Sequence, residues 1–93
     1  MPRGIREIRE KIRAREYVLT KHAREEMLDD GFDVRDVERS ILDGDVVREE
    51  HDDPRGTKYV VAGAAMEGTA QVATVGRFTE LGSYLVITVY RLD

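Results

Sequence analysis

The chain contains no cysteine and no tryptophan, and only two prolines and two histidines among its 93 residues. Without cysteine, neither a disulfide nor a thiolate metal site can support the fold. No apolar run approaches the roughly 18 residues that cross a bilayer, and the charged N-terminus lacks the apolar segment of a signal peptide. We therefore expect one cytoplasmic α+β domain over residues 1–93, with no membrane partner, metal or other cofactor.

Charge is plentiful but unevenly distributed. The net charge of −4 argues against strong nonspecific binding to nucleic acid. Residues 1–16 nevertheless carry six Arg or Lys against three Glu, a net +3, so the remainder carries −7. Ile5, Ile8 and Ile12 are spaced for one apolar stripe, which predicts a basic amphipathic helix over residues 1–16, ahead of a body over residues 17–93. That helix either contacts a polyanion or acidic partner, or is a solvated helix face.

Two further helices have well-marked boundaries. Thr20 is suited to cap a helix over about residues 21–30, because its hydroxyl can accept from an amide two or three residues on. Asp33 is placed to cap another over about residues 34–43. Phe32, just before that cap, could pack on the helix as a hydrophobic staple.

After these helices the apolar period changes to two, which predicts strands. The strands are expected over about residues 45–51, 57–65, 69–78 and 84–92, with a turn at DDPRG and a tight connection at MEG. Short turns favour a four-stranded antiparallel meander, and two to three N-terminal helices would pack on one of its faces.

The last strand should divide its side chains between two faces. The set expected to meet the helices is Leu85, Ile87 and Val89. The set expected on the open face or in a groove is Tyr84, Val86, Thr88 and Tyr90. Small residues recur in the middle strands, where they favour close packing of a helix on the sheet or, alternatively, a ligand groove; these are Ala62, Gly63, Ala64, Ala65, Ala73 and Gly76.

A histidine near a helix start is the main candidate for chemistry. His22 would lie beside unpaired backbone amides, whose field suits phosphate and keeps the ring available as a base. A metal-independent ribonuclease needs such a base, a cation for the phosphorane and an acid for the leaving oxygen. The cation could be Arg24, Lys58, Arg77 or Arg91, and the positioning or donor group could be Tyr59, Tyr90 or Thr88. The alternative is that His22 has no catalytic role and is an ordinary surface or capping group.

A metal centre has weaker support. His51, Asp52 and Asp53 are consecutive, and three adjacent residues on a turn do not readily converge on one ion. The sequence also contains no phosphate-binding glycine loop and no zinc-protease motif.

The chain resembles a family of bacterial and archaeal domains of unknown function, family 4258, over about residues 17–93. The resemblance is carried by the stretches LTKHAREEM, DGFDVRDVERSILDG and VITVYRL. The matching residues are Thr20, His22, Ala23, Met27, Gly31, Asp36, Val37, Gly44, Gly63, Thr88, Val89 and Tyr90. Glu26 departs from the family pattern, which has arginine before the methionine.

This resemblance implies a likeness to RelE-like and MqsR-like toxins, with a RelE/barnase-like ribonuclease fold. It further implies an endoribonuclease of a type II toxin–antitoxin system, restrained by a small zinc-finger or helix-turn-helix antitoxin. His22, Tyr90, Thr88 and Arg24 would then be catalytic. The groups expected to bind RNA would be Arg91, Lys58, Tyr59 and Arg77. The rival hypothesis is an inactive interaction module of the same fold, which could form a homodimer and which the acidic pI and Glu26 favour.

Overall fold

The computed structural model describes residues 4–67 and 69–92, in which three helices and five strands form an α+β domain. The elements are α1 (Ile5–Arg13), β1 (Tyr17–Leu19), α2 (Lys21–Asp29), α3 (Val34–Asp43), β2 (Asp45–Glu50), β3 (Lys58–Ala64), β4 (Gln71–Phe78) and β5 (Tyr84–Arg91). None of the described helices is long and apolar enough to cross a membrane. Gly68, the last residue of the expected MEG connection, lies outside the described residues, as do residues 1–3 of the expected basic helix.

The sheet has five strands in the order β1-β5-β4-β3-β2 and is mixed. Strands β2 to β5 pair antiparallel, whereas β1 pairs parallel to β5. The expectation of a four-stranded antiparallel sheet was therefore wrong. The strand that the prediction left out is β1, which has only three residues and is too short to show an alternating pattern. Hydrogen bonds from Tyr84 N to Glu16 O and from Thr20 N to Val86 O, both 3.0 Å, hold β1 against β5.

Local sequence accounts for where the helices begin. The Thr20 hydroxyl accepts from the Ala23 amide at 3.0 Å and caps α2, as predicted. At α3, the carboxylate of Asp33 accepts from the Asp36 amide while that of Asp36 accepts from the Asp33 amide, which makes a reciprocal capping box. The first four amides of each helix have no partner within the helix, and these caps supply partners for some of them.

All three helices contribute to one core on a single face of the sheet, as predicted. The fully buried side chains include Ile8 of α1, Ala23 of α2 and Val37 of α3. They join strand residues such as Val61 and Val72 in one cluster. The basic N-terminal segment is thus part of the domain: besides burying Ile8, α1 donates a hydrogen bond from the Arg9 guanidinium to the Gly44 carbonyl at 2.6 Å.

A β-bulge in β5 changes which of its side chains meet the helices. Val75 pairs with Thr88 but the next residue, Gly76, pairs with Val86, which leaves Ile87 as the extra residue. Because one inserted residue reverses the alternation, Tyr84, Val86 and Val89 are all buried in the core. The expected division was correct for Val89, Thr88 and Tyr90, and wrong for Tyr84, Leu85, Val86 and Ile87.

Small residues allow α3 to lie close against β3, which confirms the close-packing interpretation at Gly63. A Cβ placed on Gly63 would lie 2.9 Å from Gly44 Cα and even nearer to the Ser40 carbonyl oxygen. At Gly76 the space is filled instead by the ring of Tyr84. Neither glycine therefore opens a ligand groove.

Candidate functional site

Helix α2 lies along the part of β5 that extends beyond the short strand β1. The Glu26 carboxylate accepts from the Val89 amide at 3.1 Å, and the Asp30 carboxylate accepts from the Arg91 amide at 3.1 Å. Two acidic side chains, one on the helix and one at its C-cap, thus satisfy backbone amides at the edge of the strand. Glu26 therefore has a structural role, since it holds helix α2 against the edge of β5.

The same Glu26 carboxylate holds His22. The His22 Nε2 lies 3.2 Å from Glu26 Oε1, the oxygen that also accepts from Val89. The His22 side chain is 66 % exposed and that of Glu26 is 29 % exposed. The first turn of α2 is fixed to the strand as well, because the Thr20 hydroxyl lies 3.1 Å from the Ile87 carbonyl. The imidazole is thus anchored at the sheet edge while remaining open to solvent.

The face of the sheet opposite the helices, here called the open face, carries four of the predicted site residues. Thr88 pairs with Val75 and Tyr90 with Ala73, on the side of β5 away from the core. Strand alternation places Arg77 on the same side of β4 and Lys58 on the same side of β3. Val89, which anchors Glu26 and hence His22, lies between Thr88 and Tyr90 in the chain. Through Glu26, His22 is therefore held at the edge of β5 beside the Val89 amide, while the side chains of Thr88 and Tyr90 point to the open face.

The open face also has an uncompensated positive charge. The Arg77 Nε is buried and has no hydrogen-bond partner within the part of the chain that the structure describes. Lys58 lies 3.9 Å from the Asp53 carboxylate, and Arg48 lies 3.1 Å from Glu50. Among the described residues, Arg77 is the one of these three cations without a carboxylate partner.

Three of the predicted site residues lie elsewhere. Tyr59 is 5 % exposed on the core face, and its ring meets Phe78 edge-to-face at 5.9 Å. The Arg24 guanidinium reaches the Leu19 carbonyl at 3.4 Å. Arg91 lies over the Phe32 ring at 4.7 Å and donates to the Asp30 carbonyl at 3.0 Å. None of these three shares the open face with Thr88 and Tyr90.

The DDPRG turn is organised by an ion pair. The Arg55 guanidinium hydrogen-bonds both carboxylate oxygens of Asp53 at 3.1–3.2 Å, and with the Arg55 amide it lowers the pKa of Asp53 to about 2. His51 lies against Thr57 and Glu49 instead. Among residues 4–67 and 69–92, no three His, Asp or Glu side chains are grouped closely enough to hold a metal ion.

Two phenols that sequence reasoning did not assign to the site, buried Tyr84 and half-buried Tyr17, are not suited to act as bases. Burial raises the pKa of Tyr84, whose ring packs against Gly76. Burial and a hydrogen bond to Glu38 raise the pKa of Tyr17. Both phenols stay protonated at neutral pH, so neither serves as a base.

A second surface, which the sequence did not indicate, lies at the free edge of β1. A cavity of about 580 Å³, here called the edge groove, lies between β1, α2 and the start of α3. Its lining residues are Arg15, Tyr17, Val18, Leu19, Arg24, Met27, Leu28 and Val34. They come from separate elements and have no common sequence pattern, so only the fold reveals the groove.

These features define a small α+β domain with helices on one face of a mixed sheet and a histidine–carboxylate pair at its edge. Residues 19–91 match the family model described as "Domain of unknown function (DUF4258)", and the chain belongs to that family. No curated protein and no solved structure matches the chain. The matched region includes α2, α3 and strands β2 to β5, and it omits α1 and most of β1.

Proposed function

We propose that this chain is a toxin-like, metal-independent endoribonuclease, similar in fold and role to RelE-like and MqsR-like toxins. One observation carries the proposal: Glu26 links the exposed imidazole of His22 to the amide of Val89, between Thr88 and Tyr90. A carboxylate that orients a histidine is a common arrangement for a general base. The Glu26 carboxylate is itself held by the Val89 amide, which fixes the position of the imidazole.

The reaction requires only groups on or beside the open face. Neutral His22 takes the proton of a ribose 2′-hydroxyl, and the 2′-oxygen attacks the adjacent phosphorus. The bond from phosphorus to the 5′-oxygen breaks, that oxygen takes a proton from the Tyr90 phenol, and a 2′,3′-cyclic phosphate remains. Arg77 offsets the negative charge on the phosphorane, and Lys58 attracts the flanking phosphate. Thr88 hydrogen-bonds a non-bridging phosphate oxygen.

The charge distribution supports a narrow binding surface rather than general affinity for RNA. The chain has a net charge of −4, and strand register places Lys58, Arg77 and Arg48 on the open face. Lys58 pairs with Asp53 and Arg48 with Glu50, so Arg77 is the one of these three without a carboxylate partner among the described residues. Attraction is therefore confined to one side of the molecule. In this proposal a small antitoxin-like protein restrains the enzyme by covering that side.

A second candidate function is a non-catalytic interaction module. The observation that favours it is the bond from Glu26 to the Val89 amide, because a carboxylate used to satisfy a strand edge needs no catalytic role. Tyr90 and Thr88 would then be contact residues for a protein partner.

An RNA-cleavage assay separates these two functions. The substrate is an end-labelled DNA oligonucleotide with a single ribonucleotide, and its all-deoxy counterpart is the blank. We expect cleavage in the presence of EDTA, a loss of about 100-fold or more in His22→Ala, and a clear loss in Tyr90→Phe. The matched control is His51→Ala, which removes the other histidine, also exposed, and should leave the rate unchanged.

Two results would count against catalysis. Equal rates for the parent chain, His22→Ala and Tyr90→Phe would remove the assigned base and acid. An absence of cleavage by the parent chain, together with normal growth of cells expressing it alone, would favour the interaction module.

A further inference from the structure

The two edges of the sheet differ in how they are protected. The outer edge strand β2 has charged residues at Arg48, Glu49 and Glu50 and a register shift next to Val47. Charges and bulges on an edge strand keep other strands from pairing with it. The opposite edge strand β1 reads Tyr-Val-Leu and pairs with β5 in a regular register. Strand β1 therefore has neither a charged side chain nor a bulge that would keep another strand from pairing with it.

The backbone of β1 has groups directed away from the sheet. Its bonds to β5 use the Glu16 carbonyl and the Thr20 amide. By strand alternation, Tyr17 and Leu19 point their amides and carbonyls outward. The Leu19 carbonyl receives only a 3.4 Å contact from the Arg24 guanidinium, close to the limit of a hydrogen bond. An incoming strand could replace that contact with a backbone amide.

The edge groove beside these outward groups is apolar with a positive rim. Val18 is 53 % exposed, Leu28 is 64 % exposed and Val34 is 41 % exposed. Arg15 and Arg24 are the charged members of its lining, which includes no carboxylate. The groove therefore suits a segment that combines apolar side chains with negative charge.

Arg15 has an unusual backbone for a non-glycine residue. Its φ is +58°, and it follows α1 at the position where glycine normally ends a helix. The bonds from Arg15 N to Ile12 O and from Glu16 N to Lys11 O complete that helix end. A left-handed conformation is unfavourable for a residue with a Cβ, so arginine is costly where glycine would fit. Such strain concentrates at binding sites, and it points to a function for this guanidinium.

We infer that the edge groove binds an extended segment of a partner protein, in which apolar and acidic residues alternate, as an added strand on β1. Apolar side chains of that segment would cover Leu28 and Val34, and its carboxylates would pair with Arg15 and Arg24. Self-pairing is disfavoured, because antiparallel pairing centred on Val18 would set Arg15 of one copy opposite Lys21 of the other. The inference does not depend on RNA cleavage and holds for either proposed function.

A synthetic peptide is a direct probe of this site. The probe is a fluorescein-labelled nonapeptide of alternating valine and glutamate, and its lysine analogue is the charge control. Binding is followed by fluorescence anisotropy, and hydrogen exchange of the Tyr17 and Leu19 amides is followed by NMR. We expect the glutamate peptide to bind at submillimolar concentration and to slow both exchange rates, and the lysine analogue to do neither.

Backbone pairing is tested with two isomeric peptides. One is N-methylated on its valines and the other on its glutamates, so that each loses the amides of one strand edge. A strand added to β1 presents only one of its edges, so one isomer should bind at least ten-fold more weakly than the other. Equal binding by the two isomers would show that the peptide does not pair as a strand.

Variants of the chain locate the site. Val18→Lys should weaken peptide binding about ten-fold or more, while Val47→Lys, at the opposite edge and 62 % exposed, should not. Arg24→Glu should weaken it similarly, against the exposed control Arg6→Glu. Arg15→Gly should weaken binding yet raise the midpoint of thermal unfolding by roughly 4 °C, because glycine relieves the left-handed strain.

Several results would overturn the inference. The first is that the glutamate peptide does not bind at millimolar concentration. The second is that Val18→Lys and Val47→Lys weaken peptide binding equally. The third is that an RNA oligonucleotide fully displaces the peptide. A dimer in analytical ultracentrifugation that Val18→Lys dissociates would instead make a second copy the occupant.

Discussion

Gly63 marks the point where the last turn of α3 crosses β3. A methyl group there would meet backbone atoms of Ser40 and Gly44, and backbone cannot rotate aside as a side chain can. We expect Gly63→Ala to lower the free energy of unfolding by about 1–3 kcal/mol, as measured by urea denaturation. The control is Gly4→Ser, where a Cβ meets nothing within 4 Å and serine is a favoured helix cap. A loss no greater than that of the control would show that α3 can move away from β3 at little cost.

Single residues also show where sequence reasoning stops. The recurrence of small residues in the middle strands correctly predicted close packing at Gly63, but it could not separate Gly63, which meets a helix, from Gly76, which meets the Tyr84 ring. The placement of His22 near a helix start was likewise readable from Thr20. Its contact with Glu26, and the bond from Glu26 to Val89 63 residues away, depend on how α2 lies against β5. A local sequence pattern does not predict contacts between residues so far apart in the chain.

Among the elements, α3 has a cap whose strength depends on pH. The Asp36 amide, and then Arg35, lower the pKa of Asp33 below its ordinary value of 3.8. A folded-state pKa below the unfolded value gives stability that is present above pH 3.8 and is lost as pH falls through the lower value. Asparagine caps helices comparably without titrating. The urea midpoint of Asp33→Asn should therefore approach or pass that of the parent chain as pH falls from 5 to 2.

The comparison needs a variant with the same charge change away from the cap. Asp52→Asn removes one carboxylate from an exposed turn, and its midpoint should run parallel to that of the parent over this pH range. Asp53, whose pKa is lowered to about 2, titrates in the parent and in both variants alike, so it cancels from the differences. A constant difference between the parent and Asp33→Asn would show that the cap does not respond to pH.

Features that depend on neighbouring residues in the chain were predictable, and features that depend on pairing between distant segments were not. The capping box fixes the start of α3, and its bounds Val34–Asp43 agree with the expected 34–43. The bulge at Ile87 arises from the pairing of β5 with β4 and reverses the expected faces of Tyr84 and Val86. Strand β1 exists because residues 17–19 lie beside β5, and three residues carry too little pattern to predict a strand.

At the scale of the whole molecule, the family region and the folding unit differ. The family match covers residues 19–91, yet Ile8 and Ile12 of α1 are 0 % and 2 % exposed in the same core. The Arg9 guanidinium also bonds the Gly44 carbonyl at the end of α3. A domain of this size buries only about 60–65 % of the surface that its unfolded chain exposes, less than larger domains do, and has little stability to spare.

We therefore expect residues 19–91 alone not to fold to the native state. Ile8→Ala by itself should cost about 2–5 kcal/mol, because it leaves a cavity between α1 and the sheet. Arg6→Ala, on the exposed side of α1, should cost less than about 0.5 kcal/mol. The chain of residues 19–91 lacks the α1 side chains that share the core cluster with Val86 and Val89, and it lacks residues 17 and 18 of the strand that pairs with β5. The shortened chain should therefore lack a cooperative thermal transition and dispersed amide resonances. A cooperative transition in the shortened chain would show instead that the family region contains a sufficient core, and that α1 is an addition to it.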